Sequence, residues 1–347
     1  MANYEAQVCV VAAGPSGLAA AVQAAEDGMD VIVLEKAAAV GGAANMGMGP
    51  LGIGTKYQKQ QMYDITVERA FNMFMEYTHY NVDARVVKRY FEQSAETIEW
   101  LEEKGVEFEG AFKYFPKAEP TWHIVKTDVG IGPRAASFMN KALYARAQEL
   151  GVKVLLETPA KKIVMEDGKV AGVLATDKDG NEVSVSCKAA IICTGGAGCN
   201  KQFIYEETGY KHGEDMFNFA IPGIMGDGLK MAWEAGAAHL PVRIEQAAII
   251  EGVDDLPGSV GNIMGQPNLL VNLFGKRVMN EDQMQNTTFL SNVASHQKGR
   301  VVYSIIDSTI AKYYMKNGVD NVSLVRPDPD VSDFVEAIQM AKESGNS

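Results

Sequence analysis

The feature that most constrains this chain lies near its start. Val8-Cys9-Val10-Val11 is followed by Ala12-Ala13-Gly14-Pro15-Ser16-Gly17, by an alanine-rich stretch over residues 18–25, and by Val31-Ile32-Val33-Leu34. The two β-branched runs read as buried strands and the alanine-rich stretch as a helix. Strand, glycine turn, helix and strand in that order form a βαβ unit with a right-handed crossover and parallel strands. The turn is a dinucleotide fingerprint whose first glycine has become alanine. Gly14 lets a pyrophosphate approach the backbone, and Gly17 lets helix and strand pack closely. The helix N-terminus beyond offers oriented N–H groups to phosphate oxygens. A glycine turn of this kind also occurs where nothing binds.

Glu35 adds to it, because it ends the second strand about 20 residues beyond the turn, where an acidic residue bonds the adenosine ribose hydroxyls. A carboxylate there repels a ribose 2′-phosphate, which disfavours NADP and leaves NAD and FAD open. Three further segments decide for FAD. Residues 36–56 show no helical or strand period and read as a long functional loop. In it, Gly41-Gly42-Ala43-Ala44-Asn45-Met46-Gly47-Met48-Gly49 can lie flat against a large planar ligand. Thr194-Gly195-Gly196-Ala197-Gly198 ends a later strand and Met225-Gly226-Asp227-Gly228 opens a later helix, so two more turns present their backbone.

At 347 residues the chain exceeds the usual reach of one core, so two domains are expected. A long amphipathic helix spans residues 82–104, with Val86, Val87, Tyr90, Phe91, Ile98 and Leu101 on one stripe, and a second helix spans residues 134–150. Each is stopped by a glycine, Gly105 and Gly151. Short alternating segments at 152–157, 160–166, 170–177 and 182–187, with Asp167-Gly168 and Asp179-Gly180 as turns, read as an antiparallel meander beside the parallel sheet. An apolar strand returns at 189–193 and a helix at 228–237. Beyond about Pro241 the texture is α+β, with strands at 269–272 and 301–306 and a closing helix at 331–343. The expected fold class is α/β: a Rossmann-like FAD-binding domain over residues 1–241, and an incomplete α+β second domain over 242–347.

The balance of 32 Lys+Arg against 44 Asp+Glu gives −12, a field that repels a phosphate backbone and excludes nucleic acid as a partner. No basic leader and no apolar run of membrane length is visible, so the chain reads as cytoplasmic with no transmembrane segment. Cys187, Cys193 and Cys199 recur every six residues, which is not a zinc spacing, and with Cys9 they read as small packing residues. His79, His123, His212, His239 and His296 form no metal pattern either.

Together these motifs resemble the fumarate reductase and succinate dehydrogenase flavoprotein family, from about Gln7 to Asp307. The resemblance implies that Gly14, Pro15, Ser16 and Gly17 hold the pyrophosphate, Glu35 the ribose, and Lys36 the edge of that site. It implies that Gly41, Gly42, Ala43, Met48 and Gly49 line the flavin, that Ala160 meets the adenine, and that Thr194, Gly195, Gly196 and Asp227 close over the rest. The segment from Asn272 to Glu281 is similar to the family's capping-domain hairpin, although a tight charged turn explains Arg277 equally well. His123 lies where relatives approach the flavin cavity; its alternative is a hydrogen-bonded loop histidine. Membrane-bound members tie their flavin to a histidine in the glycine loop. No histidine lies between residues 37 and 78, so FAD is expected to be noncovalent.

The resemblance fails at two places. The stretch after Glu281, Asp282-Gln283-Met284-Gln285-Asn286-Thr287-Thr288, lacks the family's proton-donating arginine, and Arg243-Ile244-Glu245-Gln246-Ala247 lacks its substrate-binding histidine. Fumarate reduction itself is therefore not expected. The expected activity is hydride passage through flavin N5 to or from another unsaturated small molecule, with an unknown electron donor or acceptor. The family's closing Gly-Leu-Tyr-Ala-Ala-Gly-Glu-like strand is also not found before Ser347. A missing C-terminal segment or a partner chain is the expectation drawn from it. The alternative is a truncated or partner-dependent flavin-binding module without activity of its own. A bare NAD dehydrogenase does not need the long glycine loop and meander.

Overall fold

The computed structural model describes residues 2–128, 130–214, 216, 221–242, 262–324, 331–332 and 334–343. The chain enters on strands β1 (Ala2–Glu5) and β2 (Val8–Val11), helix α1 (Pro15–Glu26) and β3 (Val31–Leu34). Helices α2 (Lys56–Gln60), α3 (Val67–Tyr77) and α4 (Ala84–Glu103) follow, then β4 (Phe108–Phe112), β5 (Trp122–Val125) and α5 (Ala136–Glu149). Next come β6 (Lys153–Leu155), β7 (Ala160–Glu166), β8 (Lys169–Thr176), β9 (Glu182–Ser186) and β10 (Ala189–Ile192), then α6 (Lys201–Thr208) and α7 (Asp227–Glu234). The fold is mixed α/β.

The central sheet runs β10-β2-β3-β6, and every pair in it is parallel. Every residue of β2 and β3 is buried, as a strand covered on both faces must be. Alternation along these strands separates two cores. Val8, Val10, Val31 and Val33 face α1, α5 and the end of α4, whereas Cys9, Val11, Ile32 and Leu34 face the second sheet. Burying each such side chain contributes about 1.5–3 kcal/mol. The second sheet runs β1-β9-β8-β7, an antiparallel meander with β1 added parallel to β9.

Several expectations need correction. Residues 152–157 do not belong to the meander: β6 pairs parallel with β3, because α5 carries the chain back across the sheet as a crossover helix. On α4 the buried face is Phe91, Ser94, Ile98 and Leu101, while Val86 and Tyr90 are 66% and 51% exposed. Those two stand one position off the 3–4 spacing of the buried set, about 100° around the helix. His123 lies on a strand, not a loop. The opening segment 2–5, for which no element was expected, is a strand whose Ala2 and Tyr4 pack against the second core.

The described residues fall into two compact units, Met1–Phe112 with Pro120–Val242, and Lys113–Glu119 with Arg243–Ser347. In the second unit, strands Leu269–Val271 and Tyr303–Ile305 pair antiparallel, and Ile263, Tyr314 and Phe334 form a small core. The excursion of residues 113–119 is secured there by the Leu324 N–H donating to the Tyr114 carbonyl and by a Lys117–Asp282 ion pair. Among the described residues no helix is long and apolar enough to cross a membrane.

Candidate functional site

In a parallel sheet all strands end on the same edge, and the loops leaving that edge make the binding crevice. Here β10 leads into Thr194-Gly195-Gly196, β2 into Ala12-Ala13-Gly14, and β3 into Glu35-Lys36. Since β10, β2 and β3 are adjacent, three of the turns singled out in the sequence share one edge. The loop from Gly41 joins them: the Gly41 N–H donates to the Ala13 carbonyl at 2.7 Å, and a Cβ on Gly42 would stand 3.5 Å from the Gly14 α-carbon.

The glycines of this edge fall into two kinds. A Cβ on Gly17 would overlap the Ala12 carbonyl oxygen and press on Cys193, so this glycine lets α1 seat against β2 and β10. A Cβ on Gly228 would overlap the Thr194 hydroxyl, so α7 sits equally close to the end of β10. A Cβ on Gly14, Gly195 or Gly196 would meet nothing within 4 Å. Packing does not require glycine there; the bare backbone faces open space.

Glu35 is only 6% exposed. Its Oε2 accepts from the Ala13 N–H at 2.7 Å and its Oε1 from the Ala37 N–H at 2.8 Å. The carboxylate therefore clamps the glycine turn from the neighbouring strand. It has about four acceptor positions, so two remain. The turn needs a clamp because Ala12 has φ 83, in the left-handed region where alanine is strained. Beside it, the Glu35 carbonyl accepts from the Thr158 N–H, which brings the start of β7 and Ala160 to the same corner.

Lys36 donates to the Gly223 carbonyl and pairs with Asp227 at 2.7 Å. Asp227 opens α7, where its charge suits the helix N-terminus. The Gly226 N–H in turn donates to the Gly196 carbonyl at 3.1 Å. The residue after β3 is thus linked to the turn after β10, the two strands that flank β2.

The far end of the glycine loop is strapped to β5. Val125 and His123 donate their N–H groups to the Met48 and Pro50 carbonyls, and the Gly52 N–H donates to Thr121. Met48 is buried there, and a Cβ on Gly49 would overlap the His123 carbonyl oxygen. The His123 ring is fully buried: its Nδ1 donates to the Thr121 carbonyl and its Nε2 accepts from the Thr55 hydroxyl at 2.7 Å. Burial holds this imidazole below its ordinary pKa. His123 is a hydrogen-bonded core residue on β5 that braces the loop.

The FAD binding domain family matches residues 7–320. The chain belongs to that family. Relatives of this FAD-binding chain include the vinyl phenol reductase of Lactiplantibacillus plantarum, 30% identical over 90% of this chain and 63% of that protein. A probable fumarate reductase of Shewanella frigidimarina is 28% identical over 98% of this chain and 56% of that protein. Among solved structures, the 3-ketosteroid-delta4-(5alpha)-dehydrogenase from Rhodococcus jostii RHA1 superposes with a TM-score of 0.74 at 24% identity, covering 90% of this chain and 68% of that one. The chain thus spans about 56–63% of the length of those two curated relatives. The family membership bears out both the flavoprotein resemblance and FAD as the cofactor.

In this FAD-binding fold, Gly14, Pro15, Ser16, Gly17, Glu35, Lys36, Gly41, Gly42, Thr194, Gly195, Gly196 and Asp227 lie around one sheet edge, as the contacts above describe. Ala43 follows Gly42 on an exposed turn, whereas Met48 and Gly49 sit against β5. In the second unit, Asn272 to Arg277 form a tight turn, with Asn272 Oδ1 accepting from the Phe274 and Lys276 N–H groups. Arg277 is engaged by Glu281 through Nε and Nη2, and this pairing holds the Glu281 carboxyl down at about 2. Arg243 and Glu245 lie outside the described residues. Sequence reasoning missed Asn140, and named Asn45 only as part of the glycine loop, without a role. Asn140 is a polar residue on the face of α5 that otherwise buries Ala136, Met139, Leu143 and Ala147, and that mismatch was its signal.

Proposed function

We propose that this chain is the flavin-binding part of an oxidoreductase acting on an unsaturated small molecule other than fumarate, with its FAD held noncovalently. One observation carries the reading. The glycines at the ends of β2 and β10 open onto free space at the same sheet edge, while the two that seat helices, Gly17 and Gly228, are filled by their neighbours. A groove floored by bare backbone suits a pyrophosphate and a flat ring system.

In this reading Gly14, Pro15, Ser16 and Gly17 hold the pyrophosphate, using the start of α1. Glu35 clamps the turn and offers its two remaining acceptor positions to the adenosine ribose. Lys36 and Asp227 border that end, with Ala160 toward the adenine. Gly41, Gly42, Ala43, Met48 and Gly49 form the wall for the ring system, and Thr194, Gly195 and Gly196 close the opposite side. Bound flavin supplies hydride transfer at N5. The chain's own residues bind, orient and exclude water. The vinyl phenol reductase relative supports an alkene conjugated to an aromatic ring as the substrate class. The missing arginine in residues 282–288 argues against fumarate.

The test is the visible absorption spectrum of the purified chain, with the released cofactor identified by mass. FAD bound one to one is expected, followed by reoxidation of the reduced protein by aryl alkenes or enones. A colourless chain that takes up no added FAD refutes the cofactor assignment. A flavin-binding module that needs further polypeptide for turnover is a second reading. It is favoured because Arg277, a cap cation singled out by the resemblance, is occupied by Glu281. A reduced flavin reoxidised equally fast with and without acceptor selects this second reading.

A further inference from the structure

We infer that Asn140, acting with Asn45, is a positioning residue that fixes the glycine loop in the shape that receives the flavin. The inference rests on the reading that Gly41 and Gly42 line the ring system. It goes beyond it by assigning the loop's geometry to two side chains, one of them outside every motif and the other given no role within the loop.

Asn140 is 1% exposed and lies on the inner face of α5. Its Nδ2 donates to the Gly41 carbonyl at 3.2 Å and to Asn45 Oδ1 at 2.8 Å. Asn45 Nδ2 in turn donates to the Val40 carbonyl at 3.0 Å. The Asn45 amide lies against the Gly41 α-carbon so closely that a Cβ there would overlap Oδ1. The two amides therefore hold the carbonyls on both sides of Gly41, which has φ 105, and immediately before Gly42, which has φ 51. Both are conformations that glycine alone adopts without strain, and glycine is also the residue that most readily leaves them. Without a brace the turn has many alternatives. With it, Gly42 is held against Gly14, where the loop meets the pyrophosphate turn.

The brace is only partly satisfied. Among the described residues Asn140 Oδ1 is buried with no hydrogen-bond partner. A buried acceptor left unmade costs at least as much as an ordinary hydrogen bond returns. The surrounding face of α5 is apolar, so leucine, with the same number of side-chain heavy atoms but more volume, tests the position at some folding cost, since it also leaves the Gly41 and Asn45 acceptors without their donor. What leucine cannot do is donate to Gly41 and Asn45.

The experiment compares wild type, Asn140→Leu and Asn45→Ala in the full chain. FAD is stripped, affinity is measured by flavin fluorescence titration, and thermal midpoints are measured without FAD. Asn140→Leu is expected to raise the FAD dissociation constant about tenfold, equivalent to about 1.4 kcal/mol, alongside a small fall in the FAD-free midpoint from the acceptors it orphans. The visible circular dichroism of bound flavin, which reports ring orientation, is expected to change. Asn45→Ala, at a half-buried loop position, is expected to weaken FAD in the same direction with its midpoint unchanged. Affinity within twofold of wild type in both variants, with the same flavin spectrum, overturns the inference. If Asn140→Leu fails to fold, Asn45→Ala decides alone by the same criteria. A wild-type chain that binds no FAD overturns the underlying cofactor reading and this inference with it, which separates the two failures.

Discussion

Glu35→Gln separates what the sequence suggests for this residue from what the structure shows. A carboxylate whose sole partner is the ribose contributes nothing to the chain stripped of FAD. In the structure its two oxygens instead accept from the N–H groups of Ala13 and Ala37, 2.7 and 2.8 Å away, inside a nearly closed environment. Glutamine keeps one acceptor and turns an NH₂ toward the other N–H, so one charge-assisted bond is lost and a buried donor is left facing a donor. Such a bond is worth about 1.5–3 kcal/mol, and the orphaned N–H brings the expected loss to about 2–3 kcal/mol. At about 2–4 °C per kcal/mol for a unit of this size, the midpoint falls by roughly 4–12 °C. The assay is thermal unfolding of the FAD-free protein followed by circular dichroism, with urea unfolding as a second measure. A Glu35→Gln chain that melts with wild type when stripped, yet binds FAD poorly, refutes the clamp.

Four other outcomes follow from the same geometry. Gly14→Ala leaves the FAD-free stability within about 0.5 kcal/mol of wild type but weakens FAD at least about tenfold, whereas Gly17→Ala, which forces a Cβ onto the Ala12 carbonyl, costs about 3 kcal/mol or more in the FAD-free chain. Ala12→Gly relieves a left-handed alanine worth about 1–2 kcal/mol against a glycine entropy cost of about 0.5–1, so a small rise in midpoint is expected on calorimetry. Glu281 has its carboxyl held at about 2, against an ordinary 4.5, by Arg277. Its contribution is complete above 4.5 and fades as pH falls toward 2; with Arg277 exposed to solvent it is about 1–2 kcal/mol, and Glu281→Gln should flatten that part of an acid-unfolding curve. The buried His123 has a pKa below its ordinary 6.5, so stability is complete above 6.5 and declines as protons are taken up on unfolding below it; His123→Gln should remove that slope from midpoints measured across the range.

Much of the frame was legible because its signals are local. The runs 8–11 and 31–34 alternate between two cores, and an unbroken apolar strand has few places to go except the centre of a covered sheet. The glycine turns were legible for the same reason, and the structure adds which glycines serve packing and which leave backbone open. The rest depends on contacts far apart in sequence. Residues 152–157 alternate as a meander strand does, and only the crossover through α5 makes β6 parallel to β3. Residues 113–119 sit between two strands that pair with each other yet belong to the other unit, and no composition shift marks that excursion. Glu35 was legible as an acid ending the strand beside the glycine turn, but its clamp was not, because the Ala13 N–H it holds lies 22 residues away. His123 drew attention as a titratable group; its neighbours Thr55 and Thr121 show it as a brace.

The contacts around the sheet edge also bear on how strongly a cofactor is held. Gly41, Gly42, Gly195 and Gly196 are the residues with the most conformational freedom to lose, and a ligand that had to order them would spend much of its interaction doing so. Each of these turns is already tied by the fold: Gly41 to Ala13 and Asn140, Gly196 to Gly226, and the strand ends through Lys36 and Asp227. That cost is met when the chain folds, and the free energy of contact with the cofactor then appears as affinity. Loosening a tie at one of these turns should therefore weaken FAD even though the tie itself touches no ligand, and the loss should appear in the dissociation constant more than in the melting of the empty chain. The Gly226 turn offers a check independent of the asparagines. Gly226 has φ 80, and its missing Cβ stands 3.0 Å from that of Ala197. Gly226→Ala strains the turn that holds Gly196, so it should lower FAD affinity by a larger factor than an alanine substitution at Gly209, which has a similar φ of 74 at the end of α6 but is tied to none of these turns.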